Sequence, residues 1–305
     1  MKKNCLVIGF GSIGIRHARV LENMGFNVNV VSKRKVKDYN SFLNIKQALR
    51  SLKYHHAVIC RPTSDHFKAA LKLKNYGFEG SLLIEKPLFE KKGYPSLKAL
   101  NIFAGYNLRF HPVLKKIYQT IQGVSLYSMH VYCGQHLSLW RGKRDYRTTY
   151  SASRQAGGGV LKDLSHELDY ICWLTGQWEK VAAKGGRVSD LEIDSDDLFC
   201  LLLETKTCPM VSLQINYFDL NAKREIIING EDLSIKGDLI SGTLDINGVK
   251  KVYKLEKDAT YIDEHEDILS SGTGFACTYD EGLEVLSLIE AAQKASEGDV
   301  WIKRS

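Results

Sequence analysis

The sequence predicts an α/β fold: a doubly wound parallel-sheet domain first, then an α/β domain with a large, mainly antiparallel sheet. Three observations lead there. Over the first third, short apolar runs alternate with segments of helical periodicity, the pattern of parallel strands joined by crossover helices. Beyond residue 110 the segments lengthen and alternate in polarity, as strands with one wet face do. The charge changes sign at the same point: residues 1–109 carry 20 Lys and Arg against 6 Asp and Glu, the rest 22 against 29. The domains are therefore placed at 1–109 and 110–305.

The first domain takes strands at 4–8, 27–32, 56–60, 81–84 and 101–107, with helices over 12–24 and 65–76. Residues 125–132, 198–204, 211–218, 225–229 and 250–255 supply strands of the second, and 160–174 and 280–296 its helices. With 305 residues, 44% hydrophobic and only 5 prolines, the chain is globular and holds enough core for two domains. No apolar run approaches the ~20 residues that span a bilayer. The opening residues imitate a signal peptide, but Gly9, Gly11 and Gly14 interrupt the apolar run. Seven scattered cysteines without a CxxC pair exclude a disulfide framework or zinc ribbon and suit a reducing cytoplasm. The basic first domain invites a polyanion, nucleic acid or a phosphorylated cofactor. The absence of a recognition-helix, RNP or finger motif leaves the cofactor, with no nucleic-acid or membrane partner expected.

Gly9-Phe10-Gly11-Ser12-Ile13-Gly14 follows the first strand and opens the first helix. In that setting the first glycine permits a tight turn and the second lets a pyrophosphate approach the backbone. The third lets helix and strand pack closely, and the helix N-terminus supplies N–H donors. An ordinary glycine turn is the plainer alternative; the strand before and the helix after argue against it. The second strand ends in Ser32-Lys33-Arg34-Lys35, where an NAD site carries a carboxylate on the ribose hydroxyls. Ser32 with Lys33 or Arg34 would instead hold a 2′-phosphate by charge-assisted hydrogen bonds. NADP(H) is thus favoured, with NAD(H) possible, against the alternative of a solvated basic turn.

Glu85-Lys86-Pro87 closes a strand on the carboxyl edge, where open α/β sheets bind ligands. Beside an oxidised, cationic nicotinamide the ammonium form of Lys86 would be disfavoured, leaving it able to shuttle a proton. Farther on, Gly157-Gly158-Gly159 lead a helix with Leu161, Leu164, Leu168 and Ile171 on one side and Asp163, His166 and Tyr170 on the other. The three-residue spacing lets Asp163 orient or charge the His166 imidazole, and the glycines admit a ligand close to the backbone. The plainer readings are a surface lysine and a solvated polar face.

Together these segments resemble the glucose–fructose oxidoreductase/inositol dehydrogenase (Gfo/Idh/MocA) family. Further echoes are Arg61-Pro62-Thr63-Ser64-Asp65-His66, the stretch Gly105 to Pro112, and the closing helix. The resemblance spans essentially the whole chain, as an ordered set of individually weak motifs. It implies a Rossmann domain followed by an antiparallel-sheet domain that supplies a homodimer or homotetramer interface. The implied activity is reversible hydride transfer between a nicotinamide and a hydroxyl-bearing carbon of a sugar or related molecule. By resemblance Lys86 takes the catalytic lysine position, His166 the helix histidine, and Asp163 its acidic partner. Cys60, Arg61, Pro62, Thr63, His66 and Glu85 fall in segments near the nicotinamide end, and Arg109 and Asp169 are candidates to contact substrate. Two departures stand out. Asp163 lies three residues before His166 where four are usual, and the 18 residues between Pro87 and Tyr106 leave no room for a full crossover helix.

Trp140, Tyr146 and Arg147, in an aromatic and cationic stretch that includes Arg141 and Lys143, could stack on a sugar ring and bind a carboxylate or phosphate. A similar Asp-Tyr-Arg stretch and Ser-His-Glu-Leu-Asp helix mark subgroups that look like those of bacterial surface-sugar synthesis, so the expected substrate is a sugar, nucleotide-linked or acidic. A solvated loop is the competing reading. No metal site is expected: residues 263–267 read as a solvated loop, and Asp194-Ser195-Asp196-Asp197 lacks calcium-loop spacing. His55-His56 reads as a surface pair. The leading function is an NADP(H)-dependent sugar oxidoreductase in which Lys86 or His166 carries the hydroxyl proton. Its alternatives are a non-catalytic NADP-binding sensor and a lyase or glycosidase using the nicotinamide transiently; retention of Lys86 and His166 argues against the first.

Overall fold

The computed structural model describes residues 2–140, 144–270 and 274–304. In chain order the elements begin β1 (Asn4–Ile8), α1 (Ser12–Asn23), β2 (Asn27–Val31), β3 (Asn40–Phe42), α2 (Ile45–Ser51), β4 (His56–Ile59), α3 (His66–Asn75), β5 (Ser81–Glu85) and β6 (Asn101–Gly105). They continue α4 (Pro112–Thr120), β7 (Leu126–Gly134), α5 (Val160–Asp163), α6 (Ser165–Thr175), β8 (Trp178–Gly186), β9 (Leu198–Thr205), β10 (Val211–Asn216) and β11 (Lys223–Gly230). The last are β12 (Leu233–Asp238), β13 (Thr243–Ile246), β14 (Val249–Val252), α7 (Ala259–Ser270), β15 (Cys277–Thr278), α8 (Tyr279–Gly298) and β16 (Ile302–Lys303).

Two compact units result: Met1–Phe110 with Glu256–Leu283, and His111–Leu255 with Glu284–Ser305. In the first, a seven-stranded sheet runs β15-β6-β5-β4-β1-β2-β3, parallel except for β15. Its central strands are continuous apolar runs because helices cover both faces, and Cys5 to Ile8, Ala57 to Ile59 and Leu82 to Ile84 are fully buried. The sequence division gave everything after 109 to the second domain. Residues 256–283 instead pack with the first unit, since β15 pairs with β6 and the α7 side chain of Thr260 accepts a hydrogen bond from Asn107. This return leaves no periodic mark near Arg109. As expected, no crossover helix joins β5 to β6.

The second unit is a nine-stranded sheet, β14-β13-β12-β11-β7-β10-β9-β8-β16, antiparallel except where β7 and β10 run together. Strand β9 shows why it is one-sided: Phe199, Leu201 and Leu203 are buried, while Leu202 between them is exposed. Helices lie on the buried face. Tyr118 of α4 stacks on Trp173 of α6 at 4.5 Å, and Arg224 Nε of β11 pairs with Glu167 Oε1 of α6 at 2.9 Å. The helix foreseen over 160–174 is broken at Leu164 into α5 and α6, so Asp163 and His166 do not share one continuous helix face. Two further expectations fail: His56 and His265 are both fully buried, one on β4 and one on α7, rather than on a surface and in a solvated loop.

Candidate functional site

In the first unit the glycine loop divides three tasks among three glycines. Gly9 has φ +101°, and a Cβ there would lie 2.7 Å from the Cys60 carbonyl oxygen. A Cβ on Gly14 would sit 2.1 Å from the Gly9 oxygen, so the first turn of α1 rests directly on the loop. Around Gly11 a Cβ would meet nothing within 4 Å. That open space stands at the start of a twelve-residue helix whose first amides have no side-chain cap. A dinucleotide pyrophosphate needs this combination of rigid turn, empty flank and unspent N–H donors. Phe10 and Ile13 are partly buried beside the loop and Ser12 is exposed at its mouth.

At the end of β2, Ser32 is buried and its hydroxyl oxygen accepts the Arg34 amide at 2.9 Å. That bond leaves the hydroxyl proton able to donate. Lys33, Arg34 and Lys35 are exposed, so the turn offers cations and no carboxylate of its own.

Arg61, Pro62 and Thr63 follow β4 at the carboxyl edge, partly or fully exposed. Cys60 and His66, expected to touch cofactor, are instead buried in the framework. Burial pushes the Cys60 thiol well above its ordinary pKa. His66 Nε2 lies 2.8 Å from the Arg61 carbonyl and Nδ1 3.1 Å from that of Pro87, tying the loop after β4 to the loop after β5. Only an imidazolium could donate to both; burial lowers the ring's pKa, so it is neutral at pH 7 and holds one of them. Arg109 is likewise fully buried, donating to Glu281 at 2.9 Å and to the Phe275 carbonyl, which ties the returning segment in place rather than presenting a cation to substrate.

Glu85 ends β5 beside Lys86. Its Oε2 accepts the Lys86 amide at 3.2 Å, and Oε1 lies 2.9 Å from His17 Nε2. Gly105 of β6 stands opposite, where a Cβ would come within 3.2 Å of the Glu85 Cα. Burial alone would raise the Glu85 pKa; the hydrogen bond and charge of His17 and the Lys86 cation outweigh it and hold it below the ordinary value. His17 continues inward: its Nδ1 is 2.8 Å from His265 Nε2, and His265 Nδ1 is 3.2 Å from His56 Nε2. His56 Nδ1 ends the series 2.8 Å from Ser81 Oγ. The sequence reading missed all three histidines, although His17 follows Gly14 by three residues and so shares its buried helix face.

In the second unit the glycines before α5 serve packing. A Cβ on Gly158 would lie 2.1 Å from the Tyr150 carbonyl oxygen, and one on Gly159, at φ +122°, 2.3 Å from Asp196 Oδ1. At these two positions the close approach is to the protein itself, whereas a Cβ on Gly157 would meet nothing within 4 Å. Asp196 also accepts the Leu161 amide at 3.0 Å, while its neighbours Asp194, Ser195 and Asp197 bond Arg154, Ser151 and the 188–189 turn. Asp163 is buried and accepts the Tyr217 hydroxyl at 2.7 Å; burial and that carboxylate push the tyrosine's pKa well up. Trp140 packs edge-on against Tyr217, ring centres 5.2 Å apart, and donates to the Gln135 carbonyl at 3.1 Å. Tyr217 was invisible beforehand because 54 residues separate it from Asp163. His166 is partly exposed at the first turn of α6, between the buried Ser165 and Glu167, and Asp169 is buried one turn on. Arg147 pairs with Asp145 at 2.9 Å and Glu192 at 3.2 Å on the exposed surface, where the Tyr146 oxygen also accepts the Glu192 amide. Arg141 and Lys143 lie outside the described residues.

These features define a two-domain protein with a Rossmann-type dinucleotide fold in its first unit. Residues 126–236 match the family described as "GFO/IDH/MocA C-terminal domain", which bears out the resemblance carried by the sequence motifs. The fold is shared along the full length of solved proteins. WlbA dehydrogenase from Bordetella pertussis, in complex with NADH and UDP-GlcNAcA, superposes with TM-score 0.81 at 18% identity, covering 100% of this chain and 99% of that one. Levoglucosan dehydrogenase, in complex with NADH and levoglucosan, gives 0.85 at 16%, covering 100% of both. UDP-N-acetylglucosamine 3-dehydrogenase GnnA from Acidithiobacillus ferrooxidans gives 0.77 at 20%, covering 98% and 99%. No curated protein matches the sequence.

The buried histidines set an acid limit on stability. Burial and the neighbouring imidazoles push His56 down to about 3 from 6.5 and His265 well below its ordinary value. The unfolded chain therefore binds more protons than the folded one below pH 6.5, and stability falls as pH drops from there toward 3. The unfolding free energy from urea melts should decline by a few kcal/mol between pH 7 and 4, and less steeply in His56→Gln. Equal slopes in the two proteins would contradict neutral burial.

Proposed function

We propose that the protein is a nicotinamide-dependent oxidoreductase acting on a hydroxyl-bearing carbon of a sugar or sugar derivative. The observation that carries this is the open flank at Gly11 over an uncapped helix start, on the same carboxyl edge as Glu85-Lys86. The fit is specific: Gly9, Gly11 and Gly14 would hold the pyrophosphate, and Arg61 to Thr63 with Glu85 would flank the nicotinamide end. When bound, the nicotinamide supplies the two-electron acceptor or donor. Lys86 moves the substrate hydroxyl proton, and His166, in the first turn of α6, is the other proton carrier assigned. Asp163, held by Tyr217, stabilises the turn ahead of that histidine.

The cofactor assigned is NADP(H). Ser32 can donate to a 2′-phosphate while Lys33 and Arg34 supply charge, and no carboxylate of the turn opposes it. WlbA and levoglucosan dehydrogenase, two of the solved neighbours named above, are in complex with NADH, which makes NAD(H) the competing cofactor. Sugar nucleotides are the substrates assigned; UDP-linked sugars accompany or name two of the solved neighbours. Trp140 is the group assigned to the sugar ring. Location in the cytoplasm is inferred from seven scattered cysteines without a CxxC pair; no helix among the described residues is long and apolar enough to cross a membrane.

The outer face of the second sheet is assigned to a second copy of the chain. A groove of about 470 Å³ there is lined by residues that include Leu202 and Trp301, both close to half exposed. The groove's lining is mainly apolar, which favours cover by protein over open solvent. Light scattering should report a dimer or tetramer that Leu202→Lys weakens; a monomer at micromolar concentration removes the assignment.

Replacing Lys86 by Ala should leave nicotinamide affinity within about twofold and cut turnover by ~10²-fold or more, the scale of lost acid–base catalysis. Unchanged turnover of a sugar nucleotide would sink the role given to this lysine.

A further inference from the structure

The line Glu85–His17–His265–His56–Ser81 runs along the first sheet, from the carboxyl end of β5 to its amino end, entirely through side chains. All three imidazoles are fully buried, while Ser81 is partly exposed. A structural cluster could have used apolar residues here, since the surrounding strands and helix faces are apolar. Each neutral imidazole carries one proton and one lone pair, so the contacts restrict which nitrogen holds the proton.

With His56 and His265 kept neutral, as their burial requires, two arrangements satisfy every contact. In one, all three rings are neutral with the proton on Nε2: His17 donates to Glu85, His265 to His17, His56 to His265, and Ser81 donates to His56. In the other, His17 is an imidazolium donating to both Glu85 and His265, and the remaining rings carry their proton on Nδ1, with His56 donating to Ser81. The two states differ by one proton. Passing between them moves one proton across each of the two ring-to-ring contacts and exchanges one with water at Ser81; no side chain rotates and no polar atom is stranded.

We propose that His17, His265 and His56 form a one-proton relay by which His17, beside Glu85 and Lys86, changes charge although its ring is fully buried. The proposal rests on the role given to Lys86 above. When Lys86 takes the proton of a substrate hydroxyl, His17 loses one: His17 Nδ1 passes its proton to His265 Nε2, and His265 Nδ1 passes its own to His56 Nε2. His56 Nδ1 then releases to water through Ser81. In the reductive direction Lys86 gives up its proton and the same hops run backward, taking one proton from water. The number of positive charges on His17 and Lys86 together stays constant through the reaction.

The low pKa values of His56 and His265 agree with this, because relaying rings must exchange tautomers without themselves holding charge. The other titratable groups around the pair are Arg16 on α1, Cys60 after β4, His66 on α3, and Tyr261 and Glu264 on α7. Burial raises the Cys60 and Tyr261 pKa values and lowers that of His66, so these three are neutral at pH 7.

The test uses the whole protein with 15N-labelled histidine, its ring signals assigned by single substitutions. On acidification within the folded range, His17 should become doubly protonated while His265 and His56 switch from Nε2–H to Nδ1–H at the same midpoint. Fixed tautomers, or three unrelated midpoints, overturn the relay. This reading needs neither cofactor nor activity, so it stands or falls separately from the proposed function. A second variant joins it to the reaction: His265→Gln can bond both neighbours but cannot pass a proton. It should retain nicotinamide affinity, lower turnover about tenfold, and move the pH–rate midpoint by about one unit. A concerted tautomer switch with an unmoved pH–rate profile would overturn the coupling to Lys86.

Discussion

The first turn of α1 lies so close on the end of β1 that no side chain fits between them, and the first unit is organised around that contact. Gly14 rests on the Gly9 carbonyl, and Gly9 in turn lies under the carbonyl of Cys60. Backbone against backbone at this spacing fixes where the helix begins, which leaves its first amides facing the open flank of Gly11. The same contact sets the depth of the helix in the sheet. Three residues on, His17 is carried far enough inward to meet Glu85 at 2.9 Å, beside the lysine that closes the fifth strand. The open, uncapped helix start at the loop and the charge at the carboxyl edge are therefore consequences of one packing distance.

The second unit depends on polar groups buried with partners rather than on a loop. Arg224 and Glu167 join α6 to the sheet, and a buried ion pair of this kind is costly to break from either side because the survivor is left uncompensated. Tyr217 and Asp163 do the same for the short helix before it. Between these two anchors the chain breaks at Leu164 and restarts, which brings His166 to the first turn of α6, where its ring is partly exposed while both chain neighbours are buried. The glycines at 158 and 159 are required by the same tight corner, against Tyr150 and Asp196.

The parallel strands, the glycine loop and the one-sided sheet were legible because each is written locally, in period, spacing or composition. The expected strands at 4–8, 56–60 and 211–218 lie within a residue or two of those observed. Less was legible wherever distant segments meet. The return of 256–283 to the first unit, the Asp163–Tyr217 bond and the Arg109–Glu281 pair join residues 54 to 172 positions apart, and no local pattern encodes them. Histidine was the residue most often misread. His56 and His265 sit in polar sequence yet are buried, because each imidazole satisfies the next; Cys60 and His66 lie in the expected loop but turn inward to brace it. Charged side chains misled in the opposite sense: Arg109 and Arg147 are committed to Glu281 and to Asp145 with Glu192.

The dinucleotide site at the glycine loop and the second strand is the claim on which the rest stands. Titrating the purified protein with NADPH and with NADH, followed by nicotinamide fluorescence, tests it most directly. Both forms should bind, with a clear preference for NADPH that is lost when Ser32, Lys33 and Arg34 are replaced together. Binding of neither would contradict the dinucleotide site itself, and equal affinity for the two would contradict the role given to the basic turn.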